Sequence, residues 1–140
     1  MVLQHLNWPA VAVAAIAYFA LGAVWFGPVF GKMWMKGHGI TPPTEEEKKN
    51  MNMGALMGMA FLKTVIMTVL TAYVVMIINY NGDIITALKI GVVLGGIAAF
   101  PTGINYLFLK KPFSLWVLDG GYHACGVILT SVILSVWRTA

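Results

Sequence analysis

Three ionisable residues stand inside long apolar runs: Lys63, Asp119 and His123. Charge in hydrocarbon is costly unless it is paired or hydrated, so each of the three needs a partner or a purpose. His123 follows Asp119 by one helical turn, and Gly126 and Thr130 continue the same face. Lys63 and Asp119 lie at similar depth, a few residues in from the same side. The stem of Lys63 is long enough to snorkel to the headgroups, whereas Asp119 is too short to do so. Folding the third and fourth apolar runs about Lys110-Lys111 sets Gly103 opposite Asp119 and Ala99 opposite His123, with Thr102 and Asn105 near that level. The expectation is one intramembrane polar cluster of Lys63, Thr102, Asn105, Asp119 and His123. It has two readings. A Lys63–Asp119 pair would simply specify helix packing, or Asp119 and His123 would exchange protons as a relay.

Catalysis by Asp119 and His123 would need a nucleophile or a metal as well. Ser114 is too far along the helix, and Cys125 points to another face. No catalytic residues, and no enzyme, are expected. The nine methionines raise the question of Cu(I), which thioethers select. Met33, Met35 and His38 lie close together, followed by Met51, Met53, Met57 and Met59. Their spacing does not gather them on one helix face, and methionine is also a flexible apolar filler. Neither a metal nor a cofactor is expected. Cys125, the one cysteine, excludes an intrachain disulfide and is expected as a small buried hydrophobe.

The elements that must position these residues are written in the composition. Hydrophobic residues make up 59% of the 140 residues and charged ones 10%, with a mean hydropathy of +0.81. A soluble globule carries about 25% charged residues, so most of this surface must meet lipid. The net charge of +4 is scattered between apolar runs instead of forming the basic stripe a nucleic-acid site needs, so no nucleic acid is expected as a partner. The fold class is all-α, a four-helix transmembrane bundle in a single membrane domain, 1–140, with spans at about 8–27, 55–79, 84–109 and 113–137. Trp8 and Trp25 bracket the first span, as tryptophan does at both membrane boundaries, and Pro9 falls in its first turn. That run lacks a basic leading segment, so it reads as a retained span and not as a cleaved targeting peptide.

A long cytoplasmic connection separates spans one and two. Its first part, Pro28 to Lys36, mixes lysines with Phe30, Met33 and Trp34 and is expected to lie along the headgroup layer. Thr44 and Glu47 have capping-box spacing, which predicts a helix from about Glu45 running on into the second span. The short turn Asn79–Asp83 makes spans two and three antiparallel neighbours, with Asp83 capping the third. Pro101 predicts a kink in that span. The connections 28–52 and 109–112 hold six lysines, and the opposite side has Lys89 and Arg138 at best. By the positive-inside rule those connections are cytoplasmic and both termini lie outside the cytoplasm, in a multi-pass protein of the cell (inner) membrane.

Gly91, Gly95, Ala99 and Gly103 recur every four residues, a smooth ridge that lets another backbone approach closely. Gly54 and Gly58 are a shorter instance. The ridge serves either packing within the bundle or an interface with a second copy or another subunit.

The stretch Gly22-Ala-Val-Trp25-Phe26-Gly-Pro28-Val-Phe30-Gly31-Lys32-Met-Trp34 resembles the end of the first span in a bacterial membrane family, domain of unknown function 1761. Asn105-Tyr106-Leu-Phe108 followed by Pro112, and Gly121-Tyr122-His123, are similar to its other recurring segments. The resemblance covers nearly the whole chain. It implies a four-span bundle and no assigned reaction, and an amide stands commonly at the Asp119 position in similar sequences, which counts against a general carboxylate relay.

With the bilayer as its one certain surroundings, the chain reads first as a non-enzymatic packing or accessory protein, a homo-oligomer or a subunit of a larger membrane assembly. The alternative is a small oligomeric transporter or proton-coupled permease using the polar cluster.

Overall fold

A computed structural model describes residues 5–137. All regular elements among them are helical: α1 Trp8–Val24, a single π turn Trp25–Val29, α2 Gly31–His38, α3 Glu45–Asn50, α4 Met53–Ile78, α5 Ile84–Phe108 and α6 Phe113–Val136. Four helices are long and apolar enough to cross a membrane: Trp8–Val29, Met53–Ile78, Ile84–Phe108 and Phe113–Val136, with mean hydropathies of 2.0, 2.2, 1.9 and 1.5. The shortest has 22 residues, about 33 Å at ~1.5 Å per residue, which matches a hydrocarbon core of about 30 Å.

The helix ends follow from local chemistry. Asn7 caps α1 through Oδ1, which accepts from the Ala10 N–H at 3.1 Å, and Pro9 sits where its missing donor costs nothing. Asp83 caps α5 by accepting from the Thr86 N–H at 2.7 Å. The Thr44–Glu47 capping box forms, with Glu47 N–H donating to Thr44 Oγ1 and Thr44 N–H donating back to the carboxylate. The helix it starts does not run on into the membrane, as the sequence suggested. Met51 is extended (φ −84°, ψ 120°), and Asn52 begins a fresh helix by accepting from the Ala55 N–H at 3.0 Å. An asparagine beside the chain's own N–H groups offers the backbone an alternative to helix, and here it wins.

Packing is centred on α6, which touches α1, α2, α4 and α5. α5 leans almost entirely on α6, and the ridge is the seam. A Cβ on Gly91 would lie 2.7 Å from the Ile128 Cα, one on Gly95 2.9 Å from the Ala124 Cα, and one on Gly103 2.9 Å from the Trp116 indole nitrogen. Of the two uses foreseen for the ridge, packing within the chain is the one observed. The register differs from a symmetrical hairpin: Gly103 faces Trp116, not Asp119, and Ala99 faces Gly120, not His123. The Trp116 indole fills the Gly103 notch and donates to the Ala99 carbonyl at 2.9 Å, which fixes this offset. α5 remains one helix through Pro101, and the Thr102 hydroxyl bonds the same Ala99 carbonyl at 2.7 Å.

Spans two and three, expected as close neighbours, touch only sparingly. Their turn is drawn onto α6 instead. Asn79, 2% exposed, donates to Ser135 Oγ at 2.9 Å and to the Asp83 carbonyl, and accepts from the Asp83 N–H. α1 runs antiparallel to α6 with Tyr18 against Gly126 and Gly22 against Tyr122. Many buried positions are small or hydroxylated (Ala10, Ala14, Thr68, Thr71, Thr130, Ser131), with Ile90, Leu115, Leu118 and Leu134 among the larger buried residues, while side chains such as Ile16, Leu70, Val93 and Phe100 face outward. Cys125 is exposed on the outer side of α6, not buried, because Gly126 and Val127 take the inward positions.

Two outcomes test this packing. Gly95→Ala and the adjacent Gly96→Ala should separate sharply in thermal unfolding of the chain in nanodiscs. Gly95→Ala should lose about 1–3 kcal/mol by overpacking against the Ala124 backbone. Gly96, with only Phe100 ring atoms near 4 Å, should tolerate the change. Equal effects at both sites would refute the seam. At α3, the Thr44 N–H, and secondarily its hydroxyl, hold the Glu47 carboxyl below its ordinary value of 4.5. The cap is therefore complete above the ordinary carboxylate range and lost as pH falls through the lowered value. The Thr44 amide resonance should titrate with a midpoint below 4.5, and a midpoint at or above it would contradict the capping box.

Candidate functional site

The groups with chemistry collect on the half of the bundle that carries α2. They are positioned by α6, whose segment Leu118-Asp-Gly-Gly-Tyr-His123 meets the end of α1. Pro28 has no N–H, so the end of α1 widens by one residue and Phe30 N–H bonds the Trp25 carbonyl at 2.9 Å, five residues back. The widened turn aims the Trp25 indole at α6, where it donates to the Leu118 carbonyl at 3.1 Å. It also turns the chain back on itself. Gly31 follows so closely that a Cβ there would lie 2.4 Å from the Phe26 carbonyl oxygen.

α2 then folds down onto the start of α6, seating Gly37 against Leu115. Trp34 and His38 are one turn apart on its inward face, with ring centroids 4.6 Å apart. Both address Asp119. The Trp34 indole N–H donates to Oδ1 at 3.0 Å, the Tyr106 hydroxyl of α5 donates to Oδ2, and His38 Nε2 stands 3.7 Å from Oδ2. Three elements (α2, α5 and α6) are thus tied to one carboxylate. The α2 segment expected to float on headgroups keeps Lys32, Met33 and Lys36 outward, but its aromatic residues are committed inward. Gly39, at φ +70°, ends the helix, and Lys111 Nζ reaches the His38 carbonyl at 3.4 Å.

A second station lies one turn further along α6. His123 Nδ1 and the Tyr18 hydroxyl share a hydrogen bond of 2.9 Å, with Tyr18 2% exposed. Tyr18 can reach it because position 126 is glycine: a Cβ there would fall 1.9 Å from the ring. Tyr122 lies tilted against Tyr18 and His123 at 5.4 and 4.9 Å and edge-on to Phe26 at 5.0 Å. Beside these rings a cavity of about 660 Å³ opens between α1, α4 and α6, with Ala98 of α5 also in its lining. Its wall is apolar apart from Tyr18, Lys63, Thr64, Tyr122 and His123.

The five residues foreseen as one cluster are therefore divided. Asp119 belongs to the α2 station, and His123 turns to Tyr18. Lys63 lines the cavity, and among the described residues no carboxylate comes within 4.0 Å of it. Thr102 is spent on its own helix, and Asn105 is exposed. Trp34, His38, Tyr106 and Tyr18 were missed as site residues. Trp34 and His38 share a four-residue spacing, as do Lys32 and Lys36 on the exposed face, which was the available signal; Tyr18, inside an unbroken apolar run, gave none. No three of His, Cys, Asp and Glu among the described residues gather closely enough to hold a metal ion.

The model of the family described as Protein of unknown function (DUF1761) matches residues 9–135. The chain belongs to this family. No curated protein and no solved structure matches it. In this DUF1761 chain the matched region contains both polar stations and all of the four spans except their outermost residues, Trp8 and Val136.

Replacing Asp119 with leucine leaves the Trp34 N–H and the Tyr106 O–H without their acceptor, at about 1–3 kcal/mol per stranded group. Asp119→Leu should therefore lower the unfolding temperature clearly, and adding Trp34→Phe should cost much less than Trp34→Phe costs alone. Full additivity of the two changes, measured by thermal unfolding in nanodiscs, would show that the contact does not tie α2 down.

Proposed function

We propose that this protein is a non-enzymatic, multi-pass membrane protein that binds a small molecule in the cavity between α1, α4 and α6, in the manner of a carrier. The observation that carries this reading is the cavity itself. It is apolar and about 660 Å³ in volume, with Lys63 and His123 in its wall, within the range of about 300–1,000 Å³ usual for ligand pockets. Ionisable groups facing an intramembrane cavity are the usual mark of a substrate pathway. The ridge that favoured a packing role is occupied by α6 of the same chain, which removes the main argument for function through that surface.

Assembly remains a second reading on one specific observation. α5 rests on α6 and barely meets α4, so α4 and α5 leave broad apolar faces open to lipid or to another chain. A carrier of four spans gains a longer pathway by pairing. The six-to-two bias in basic residues supports an arrangement with α2 and α3 in the cytoplasm and both termini outside, in the inner membrane.

Two measurements test these readings. Ala60→Phe should fill the cavity. Compounds that raise the unfolding temperature of the unmodified chain should lose that effect in the variant, since a ligand at 100 times its Kd stabilises by about 2.7 kcal/mol. Stabilisation by every such compound that survives the filling would defeat the cavity reading. For orientation, Glu46→Cys in a Cys125→Ser background should react with an impermeant maleimide only after the cells are opened. Labelling of intact cells would invert the topology.

A further inference from the structure

Lys63 presents an imbalance of charge that the fold does not resolve. The chain has five acidic residues, and none serves as its counter-ion. Asp119 is held by Trp34, Tyr106 and His38. Asp83 caps α5 at the opposite end of the molecule. Glu45 pairs with Lys48 at 2.7 Å, Glu47 closes the capping box, and Glu46 belongs to the same exposed helix. Lys63 itself is exposed at the cavity, ten residues into α4 and about 15 Å along the helix from Met53.

We infer that the cavity takes an amphipathic anion, a single carboxylate or phosphate-monoester head held by Lys63 with an alkyl tail along the apolar wall between α1 and α4. The inference rests on the reading of this cavity as a ligand site and names its ligand class. One cation in the wall suits one anionic head. Few further donors are free for a polar ligand: the Thr64 hydroxyl is spent on the Ala60 carbonyl at 3.0 Å, and the Tyr18 hydroxyl on His123. Tyr122 lines the same wall as Lys63. The rest offers Phe19, Phe26, Met57 and Met67, aromatic and thioether surface that adapts to a flexible chain. A sugar or nucleotide would leave its polar groups unpaired there, whereas an alkyl tail would not.

The test uses the full chain in nanodiscs of zwitterionic phospholipid and a long-chain carboxylate bearing a diazirine in its tail. Photolabelling should map to the cavity wall, at Phe19, Met57 or Met67. Dodecanoate and dodecyl phosphate should compete, dodecanol should compete about tenfold more weakly, and acetate should not compete. Lys63→Met should lower labelling about tenfold and Lys63→Arg should restore it. If dodecanol competes as well as dodecanoate and Lys63→Met labels normally, the anionic class is wrong while the cavity stands as a ligand site. If the label spreads equally over the outward face of α5, at Val92 and Ile97, and no competitor reduces it, both readings fail. Adding anionic phospholipid identifies the source of the head: loss of labelling assigns the site to a lipid of the bilayer itself, and persistence assigns it to a free amphipath.

Discussion

Tyr18 can lie across α6 only because position 126 has no side chain, and the whole bundle depends on approaches of this kind. Lipid tails are as apolar as leucine, so burying large hydrophobic side chains between helices gains little in a membrane. What holds helices together there is close contact and hydrogen bonding. The chain follows that constraint along three seams of α6. Glycines of α5 lie on the Ile128 and Ala124 backbone, Gly126 receives Tyr18, and threonines and small residues of α4 fill the remaining side. Most of the large apolar residues go outward, where the solvent suits them, and a few such as Leu115 and Leu118 stay inside.

Polar groups then do the specifying that hydrophobicity cannot. Three indole N–H groups each find one acceptor: Trp25 the Leu118 carbonyl, Trp34 the Asp119 carboxylate and Trp116 the Ala99 carbonyl. Each ties a different element to α6 or α6 to α5. At the other end, Asn79 and Ser135 pin the α4–α5 turn, and Asn7 donates to the Trp137 carbonyl at 2.9 Å. Intramembrane bonds of this kind average about 0.6 kcal/mol and rarely exceed about 2 kcal/mol. Their role is to select one register among many that small residues alone would permit.

Much of this was legible in advance, and the failures share a cause. Apolar length gave the four spans, and helix-end chemistry gave Pro9, Thr44–Glu47 and Asp83 their roles, because both depend on residues close in sequence. The small-residue ridge announced a close contact but not its partner. The hairpin register was off by about one turn, since it is set by the Trp116 indole entering the Gly103 notch, a tertiary fit with no local signature. Asp119 was recognised as needing a partner, yet Lys63 was the wrong one. The partners are Trp34 and His38, delivered by a π turn that Pro28 and Gly31 make possible, and Tyr106 from α5. The continuous helix from Glu45 failed because Asn52 offers a better cap than continuation offers hydrogen bonds.

The separation of Lys63 from Asp119 is what gives the cavity its character. Had Lys63 met Asp119, the pair would have cancelled inside the bundle and the remaining surface would have been plain packing. Instead the carboxylate is used up in fastening α2, and Lys63 is left in the lining of an apolar cavity with no carboxylate partner. A charge at membrane depth can be answered by the protein or by something the protein binds, and a chain with only five acidic residues has few means of doing the first. The separation of Asp119 from Lys63 thus divides the same half of the bundle into two parts: one that holds α2 against α6, and one that is open to a guest of opposite charge.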